Sequence, residues 1–316
     1  MRWDRGPGGA AREVRLPAPP PAPRPPAAAR PHRRRPDRAP APSRARQAVA
    51  AACLAAGLAL MLYPVVGTLL NERSFTDAVG RYEEQAAALP EKERQEMLAA
   101  AHAYNDSLRG DPVHDPFIPN SGWAQPEGYD DVLDVDGAGL MGVVEVPAIG
   151  VRLPIRHGTS DEVLAHGAGH IPQTSLPVGG PGTHAVITGH TGLPTARLFD
   201  DLSRLEVGDV FVVEVLGERH AYTVDDVRVV EPDEVDAIRI DGNRDFVTLM
   251  TCTPYGVNSH RLLVRGEACE LPAEGAPAPF RPDVLPWIAG GAVAVVAVAV
   301  GTAVAFRAAR RRRGRR

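Results

Sequence analysis

Three side chains in the second half of this chain are of types that together carry out acyl transfer through a thioester: Cys252, His190 and Arg261. A thiol is a nucleophile only as thiolate, and a neighbouring imidazolium stabilises that form. Attack on a carbonyl then passes through a tetrahedral oxyanion, for which a fixed guanidinium offers several hydrogen-bond donors. Each residue also has a plainer use. A cysteine at a strand end is often a small core residue, and an arginine is often a surface ion-pair partner.

The local strings say how the three would be presented. Gly182-Thr-His-Ala-Val-Ile-Thr-Gly-His190-Thr reads as an apolar strand whose glycine lets the backbone turn, leaving the imidazole at the strand end. Phe246-Val-Thr-Leu-Met-Thr-Cys252-Thr-Pro-Tyr delivers a thiol at the end of a buried strand that Pro254 stops. Ser259-His-Arg261-Leu-Leu-Val-Arg opens a strand with the guanidinium. A hairpin between Cys252 and Arg261 would set both at the same end of adjacent strands.

These strings belong to a run of short β-favouring segments bounded by Gly, Pro, Asp or Asn. Strands are expected over 141–146, 151–154, 184–188, 210–215, 220–230, 245–252 and 261–265, with a short helix over 196–205. Such spacing predicts an all-β barrel or sandwich. Upstream, 72–110 is charged and alanine-rich and reads as two helices broken at Leu89-Pro90. Residues 111–139, rich in Asp, Pro and Gly, read as one long loop of the sort that covers or binds.

The ends of the chain differ in texture. Residues 1–46 hold twelve Arg among Pro and Ala and read as a disordered basic tail. An uncharged run comes next, 47–70, and a second spans 285–306 beyond a linker at 273–284; both are long enough to cross a bilayer. Basic residues precede the first run and follow the second, at 307–316, so both termini are expected in the cytoplasm and the part between them outside. The formal net charge of −4 hides this asymmetry. Residues 71–306 carry 16 basic and 36 acidic side chains, a net of −20, which would repel nucleic acid. The basic tails fit anionic membrane lipid instead.

Three cysteines do not make a disulfide framework. Cys53 lies in the first apolar run; Cys252 and Cys269 lie outside it, where pairing with each other is one alternative to use of the thiol. Among the histidines, His184 precedes His190 by six residues, so one continuous strand would turn both to one face. No third ligand of matching pattern accompanies them, and His184 is expected to be core or scaffold. His157, His166 and His170 fall in Gly-rich stretches and His260 should alternate away from Arg261.

At the three chemical strings the chain resembles the sortases. Thr248-Leu-Met-Thr-Cys252, Thr188-Gly-His190 and Arg261 are similar to the signature strands of that family. Gly189-His-Thr-Gly-Leu-Pro with Leu198-Phe-Asp-Asp-Leu, and Thr251-Cys-Thr-Pro-Tyr-Gly-Val-Asn-Ser-His-Arg-Leu-Leu-Val-Arg-Gly266, resemble class C, the pilin-polymerising type. The resemblance implies an eight-stranded β-barrel with short helices over 140–272, a helical and lid segment over 71–139, and two flanking transmembrane helices. It implies Cys252 as nucleophile, His190 as acid/base partner and Arg261 as transition-state stabiliser, with no metal or organic cofactor. The substrate would be a protein ending in a sorting signal of the LPXTG type. Cleavage between Thr and Gly would leave a thioacyl enzyme that an amine resolves, a pilin lysine or, in the wall-anchoring alternative, a peptidoglycan precursor. The long basic tail is unusual for the class.

Asp115-Pro116-Phe117 reads by itself as a turn followed by a packing aromatic. The resemblance implies a lid, with Asp115 paired to Arg261 and Phe117 over Cys252. Two other readings fit less well. A papain-type peptidase would need its His after a helix-borne Cys, and a non-enzymatic two-span receptor leaves the Cys and His strings without a purpose.

Overall fold

The computed structural model describes residues 44–108, 125–240 and 242–272. The chain divides into units 1–50 and 51–316. Of the first, only the opening turns of α1 are described; the second contains the barrel.

Eight strands close into that barrel: β1 (Leu140–Val146), β2 (Val151–His157), β3 (Ala168–His170), β4 (Thr183–Thr188), β5 (Val210–Val215), β6 (Glu218–Val230), β7 (Asp245–Thr253) and β8 (His260–Cys269). Their order around the barrel is β1-β2-β3-β4-β7-β8-β6-β5, with β5 returning to β1. The β2/β3 and β4/β7 pairs are parallel and the remaining pairs antiparallel. Closure leaves no edge open to another chain.

Alternation along each strand sorts the side chains. Val247 and Leu249 of β7, Ala185 and Ile187 of β4, and Leu262 and Val264 of β8 join the main interior cluster. Val186, Met250 and Leu263, one position out of phase, form a smaller cluster on the outer wall with Ile171, Val230 and Ile238. The opposite outer wall is covered by a helix: Val79, Tyr82 and Ala86 pack on Leu140 and Val143 of β1.

That helix, α1 (Arg44–Ala88), runs from the first uncharged stretch into the helical segment without interruption. Among the described residues it holds the helical stretch long and apolar enough to cross a membrane. Its Leu60, Met61 and Tyr63 are 76%, 75% and 63% exposed. Further along, the Tyr82 hydroxyl donates to Met141 O at 2.9 Å and accepts from Leu216 N at 2.8 Å, fixing the helix to the barrel. The helix ends at Ala88, and α2 (Glu91–Ser107) starts behind Pro90, at the expected Leu89-Pro90 break.

Several local expectations are corrected. β3 is missing from the strands expected of the sequence: three residues with a glycine among them are too short to show a pattern. β2 extends to His157, because Pro154 and Ile155 continue the ladder with β1. The helix expected over 196–205 is a series of turns ending in a 3-10 turn at Leu202–Arg204. Ala196, Leu198, Phe199, Leu202 and Leu205 are all buried, so this segment is a plug and not a helix with one apolar stripe. A short α3 (Asp161–Ala165), capped by the Ser160 side chain accepting from Val163 N, stands in a stretch that reads as loop. The expected second span at 285–306 lies outside the described residues.

Candidate functional site

β4 and β7 run parallel in register, Thr188 beside Met250, and the ladder continues one step as Gly189 N donates to Met250 O at 3.1 Å. The Thr251 hydroxyl donates back to Gly189 O at 2.7 Å. His190 and Cys252 are the next residues of their two chains, so both leave the same end of neighbouring strands. Across the β7–β8 hairpin Cys252 lies directly opposite Arg261 and Thr253 opposite His260. Directly opposed residues have Cα atoms about 4.5–5.5 Å apart. Cys252 shares the phase of Met250, and Arg261 that of Leu263, so both belong to the outer wall of the barrel. The three residues singled out for chemistry therefore converge, on the outside of the barrel at its β4/β7/β8 rim.

Arg261 is 7% exposed, and its Nη1 donates to His260 O at 3.3 Å. Burial this deep holds a guanidinium in one place. Burial lowers the His190 imidazole below its ordinary value, and the carboxylate of Asp161 only partly opposes this. At neutral pH His190 is therefore mostly neutral and able to accept a proton.

His190 sits on a closed loop. Its carbonyl accepts from Phe199 N at 3.1 Å, while Asp200 Oδ1 accepts from Gly192 N at 2.7 Å and from the Thr191 hydroxyl at 3.2 Å. Burial raises the Asp200 carboxyl, the two donors pulling it back. The ring of Phe199 lies so close over Gly189 that a Cβ there would sit 2.8 Å from it, which only glycine avoids. Asp200, Phe199 and Thr251 are site residues that sequence reasoning misses. Their only signal is membership of the strings around His190 and Cys252, because partners eight or nine residues apart, or on separate strands as Thr251 and Gly189 are, meet only once the chain has folded.

His184 does not share a strand with His190, contrary to expectation, because β4 stops at Thr188. Its ring is spoken for: Nδ1 lies 2.8 Å from Arg239 O and Nε2 2.7 Å from the Thr248 hydroxyl, the scaffold role expected of it. His157 and His170 end strands β2 and β3 and are buried. His170 Nδ1 lies 2.9 Å from the Tyr129 hydroxyl, and Nε2 lies 2.7 Å from Ser175 O. His166 follows α3, its Nδ1 2.8 Å from Glu162 O. Among the described residues no group of three His, Cys, Asp or Glu is placed to hold a metal ion. The Cys252–Cys269 pairing is excluded by register. Cys269 pairs with Ala221 at the far end of β8, eight residues from Arg261 and so about 26 Å away. Asp115 and Phe117 lie outside the described residues.

Comparison with known proteins narrows the chemistry. A model of the sortase domain matches residues 144–269. Sortase A of Bacillus anthracis is 28% identical over 156 residues, which cover 48% of this chain and 70% of that protein. Three further curated sortases are matched over 52% to 58% of their length. Among solved structures, sortase C-1 from Streptococcus pneumoniae is 45% identical with a TM-score of 0.58, covering 62% of this chain and all of that one. Sortase C-1 from Actinomyces oris is 48% identical with a TM-score of 0.54, covering 58% of this chain and all of that one.

Proposed function

The chain belongs to the sortase family, whose members are cysteine transpeptidases, and to its class C, and we propose that it joins surface proteins through Cys252, His190 and Arg261. The observation that carries this reading is the register: Cys252 opposite Arg261, with His190 one residue beyond the Gly189–Met250 contact.

In the proposed cycle the Cys252 thiol gives its proton to neutral His190 as Sγ bonds to the carbonyl carbon of the sorting signal's Thr. The carbonyl oxygen becomes an oxyanion facing Arg261, whose fixed donors stabilise it more than they do the ground state. Collapse breaks the Thr–Gly C–N bond, and His190 returns the proton to the departing Gly amine. An incoming amine then attacks the thioester and loses its proton to His190. Cys252 leaves as thiolate and is reprotonated, and an amide bond has been exchanged without net oxidation or hydrolysis.

The substrate class is a protein with an LPXTG-type sorting signal. The acceptor is a pilin lysine, a reading supported by the class C neighbours, one of which is described as a pilus-related sortase C. The apolar, exposed first part of α1 supports a membrane anchor, with the barrel outside the cell and both basic termini inside. Asp115 and Phe117 are proposed as a lid over Cys252.

The test is to incubate the full chain with a sorting-signal peptide and either a lysine-bearing pilin peptide or a peptidoglycan-precursor amine, and to weigh the products. A peptide–lysine amide that is absent with Cys252→Ala is expected. Exclusive use of the precursor amine would move the protein to wall anchoring, and release of hydrolysed peptide alone would overturn transpeptidation.

A further inference from the structure

Beyond the three proposed catalytic residues, the loop carrying His190 is touched from outside by α1. Asn71, the last residue before the first charge after the apolar run, donates from Nδ2 to Thr195 O at 2.9 Å. One turn earlier stands Gly67. A Cβ built on it would lie 2.5 Å from Thr195 Cγ2 and 2.7 Å from Thr195 Cβ, closer than any side chain tolerates. The helix thus offers a bare position where Thr195 presses against it, and a donor one turn on where the Thr195 carbonyl needs one.

Thr195 belongs to the 189–200 loop already described, closed at its base by Phe199 N on His190 O and pinned inside by Asp200. A shift of Thr195 has few ways to be absorbed within that loop. Leu198 already holds φ +21°, and Phe199 is fully buried against Gly189. On the far side, Gly192 lies against the ring of Tyr255, from the turn that joins Cys252 to Arg261. A Cβ on Gly192 would be 3.5 Å from that ring. Helix, His190 loop and β7–β8 turn therefore form one continuous stack.

We propose that the end of the apolar part of α1 is a positioning element of the active site, in which Gly67 and Asn71 seat Thr195 and so hold the His190 loop against the Cys252–Arg261 hairpin. This rests on the proposed role of His190 as proton carrier. It extends that role by making proton transfer depend on the anchor helix, a segment with no chemistry of its own. Misplacing a reacting group by about 1 Å costs on the order of a hundredfold in rate, so even a partial loosening should be visible.

The experiment uses the full chain in phospholipid vesicles, with cleavage of a sorting-signal peptide as the assay. Asn71→Leu and Gly67→Leu, each compatible with a helix, are compared with wild type for kcat, KM and thermal unfolding. Amide exchange is read at Gly192 and Phe199 in the loop and, as a reference bonded away from α1, at Val224, whose N–H donates to Asp209 O. A fall in kcat of about tenfold with KM within about twofold, an unchanged melting temperature, and faster exchange confined to the loop are the expected results. Wild-type kcat in both variants overturns the proposal. So does a fall accompanied by general acceleration of exchange, since that would be lost fold stability. His190→Ala in the same vesicles separates the two levels: if it stays active, the catalytic reading fails, whereas an inactive His190→Ala beside fully active Asn71→Leu and Gly67→Leu removes only the positioning role.

Discussion

Cys252 and Cys269 lie on adjacent strands yet at opposite ends of the barrel wall, and only Cys252 faces a guanidinium and neighbours an imidazole-bearing loop. Cys252→Ala should therefore abolish the thioacyl adduct with a sorting peptide, while Cys269→Ala leaves it nearly intact. Mass spectrometry of the intact enzyme reads both, and an adduct persisting in Cys252→Ala would rule out that nucleophile. Arg261 differs from a surface arginine in being almost wholly buried, so its planar fork is held in one direction, as the proposed oxyanion role requires. An ammonium on a flexible stem does not reproduce that. Arg261→Lys should lose about 100-fold or more in kcat, as the removal of an oxyanion donor does in other acyl-transfer enzymes. A near-normal rate would make Arg261 structural.

Elements carry these residues to one rim, and two of them are legible before folding is considered. The β7–β8 hairpin follows from Pro254 ending one apolar run and Arg261 opening the next. The β4 strand and its exit follow from the apolar run that ends at Gly189; the closure of the loop beyond it by Phe199 and Asp200 does not. In the proposed lid, pairing Asp115 with Arg261 would be worth about 1–2 kcal/mol, and covering the site with Phe117 about 1–3 kcal/mol. Replacing both by alanine should speed labelling of Cys252 by a bulky thiol reagent about tenfold or more, with Cys269 labelling unchanged as the internal control. Equal Cys252 labelling before and after would show that the loop leaves the site open.

The whole molecule adds a pH dependence seated away from the site. Burial pushes His170 down to about 3, and nearby His157 pushes in the same direction. Its partners are the Tyr129 hydroxyl, the Thr174 hydroxyl and Ser175 O, with no carboxylate among them. The unfolded chain takes up this proton near pH 6.5 and the folded barrel only near 3. The contribution is thus complete above about pH 6.5 and is lost as pH falls through that window, at up to about 1.4 kcal/mol per unit. His190 and His220, both lowered by burial, add to the same trend. Asp200, Glu214 and Asp245 are raised and oppose it, because the fold accepts their protons first. Chemical denaturation at pH 7.5 and 5.5 should show a loss of stability on acidification that is smaller in His170→Gln. An equal loss in both proteins would place the acid sensitivity elsewhere.

Sequence by itself marked the three candidate residues and their order along the chain. Cys252, His190 and Arg261 each stand at a strand terminus marked by Gly189, Pro254 or a turn, and such local signals survive without tertiary contacts. Composition likewise separated the acidic segment 71–306 from the basic tails, since charge and apolar length act through the solvent and not through partners. Tertiary structure decided what depends on residues far apart in the chain. The short β3 exists because β2 and β4 flank it. The 196–205 segment is a plug because Leu198, Phe199 and Leu202 pack into the barrel's interior cluster, and α1 stays helical through Gly67 while seating Thr195, 128 residues away. Periodicity reports which face of an element is apolar; it carries no record of which distant carbonyl will need a donor, and Asn71 became legible only when Thr195 arrived beside it.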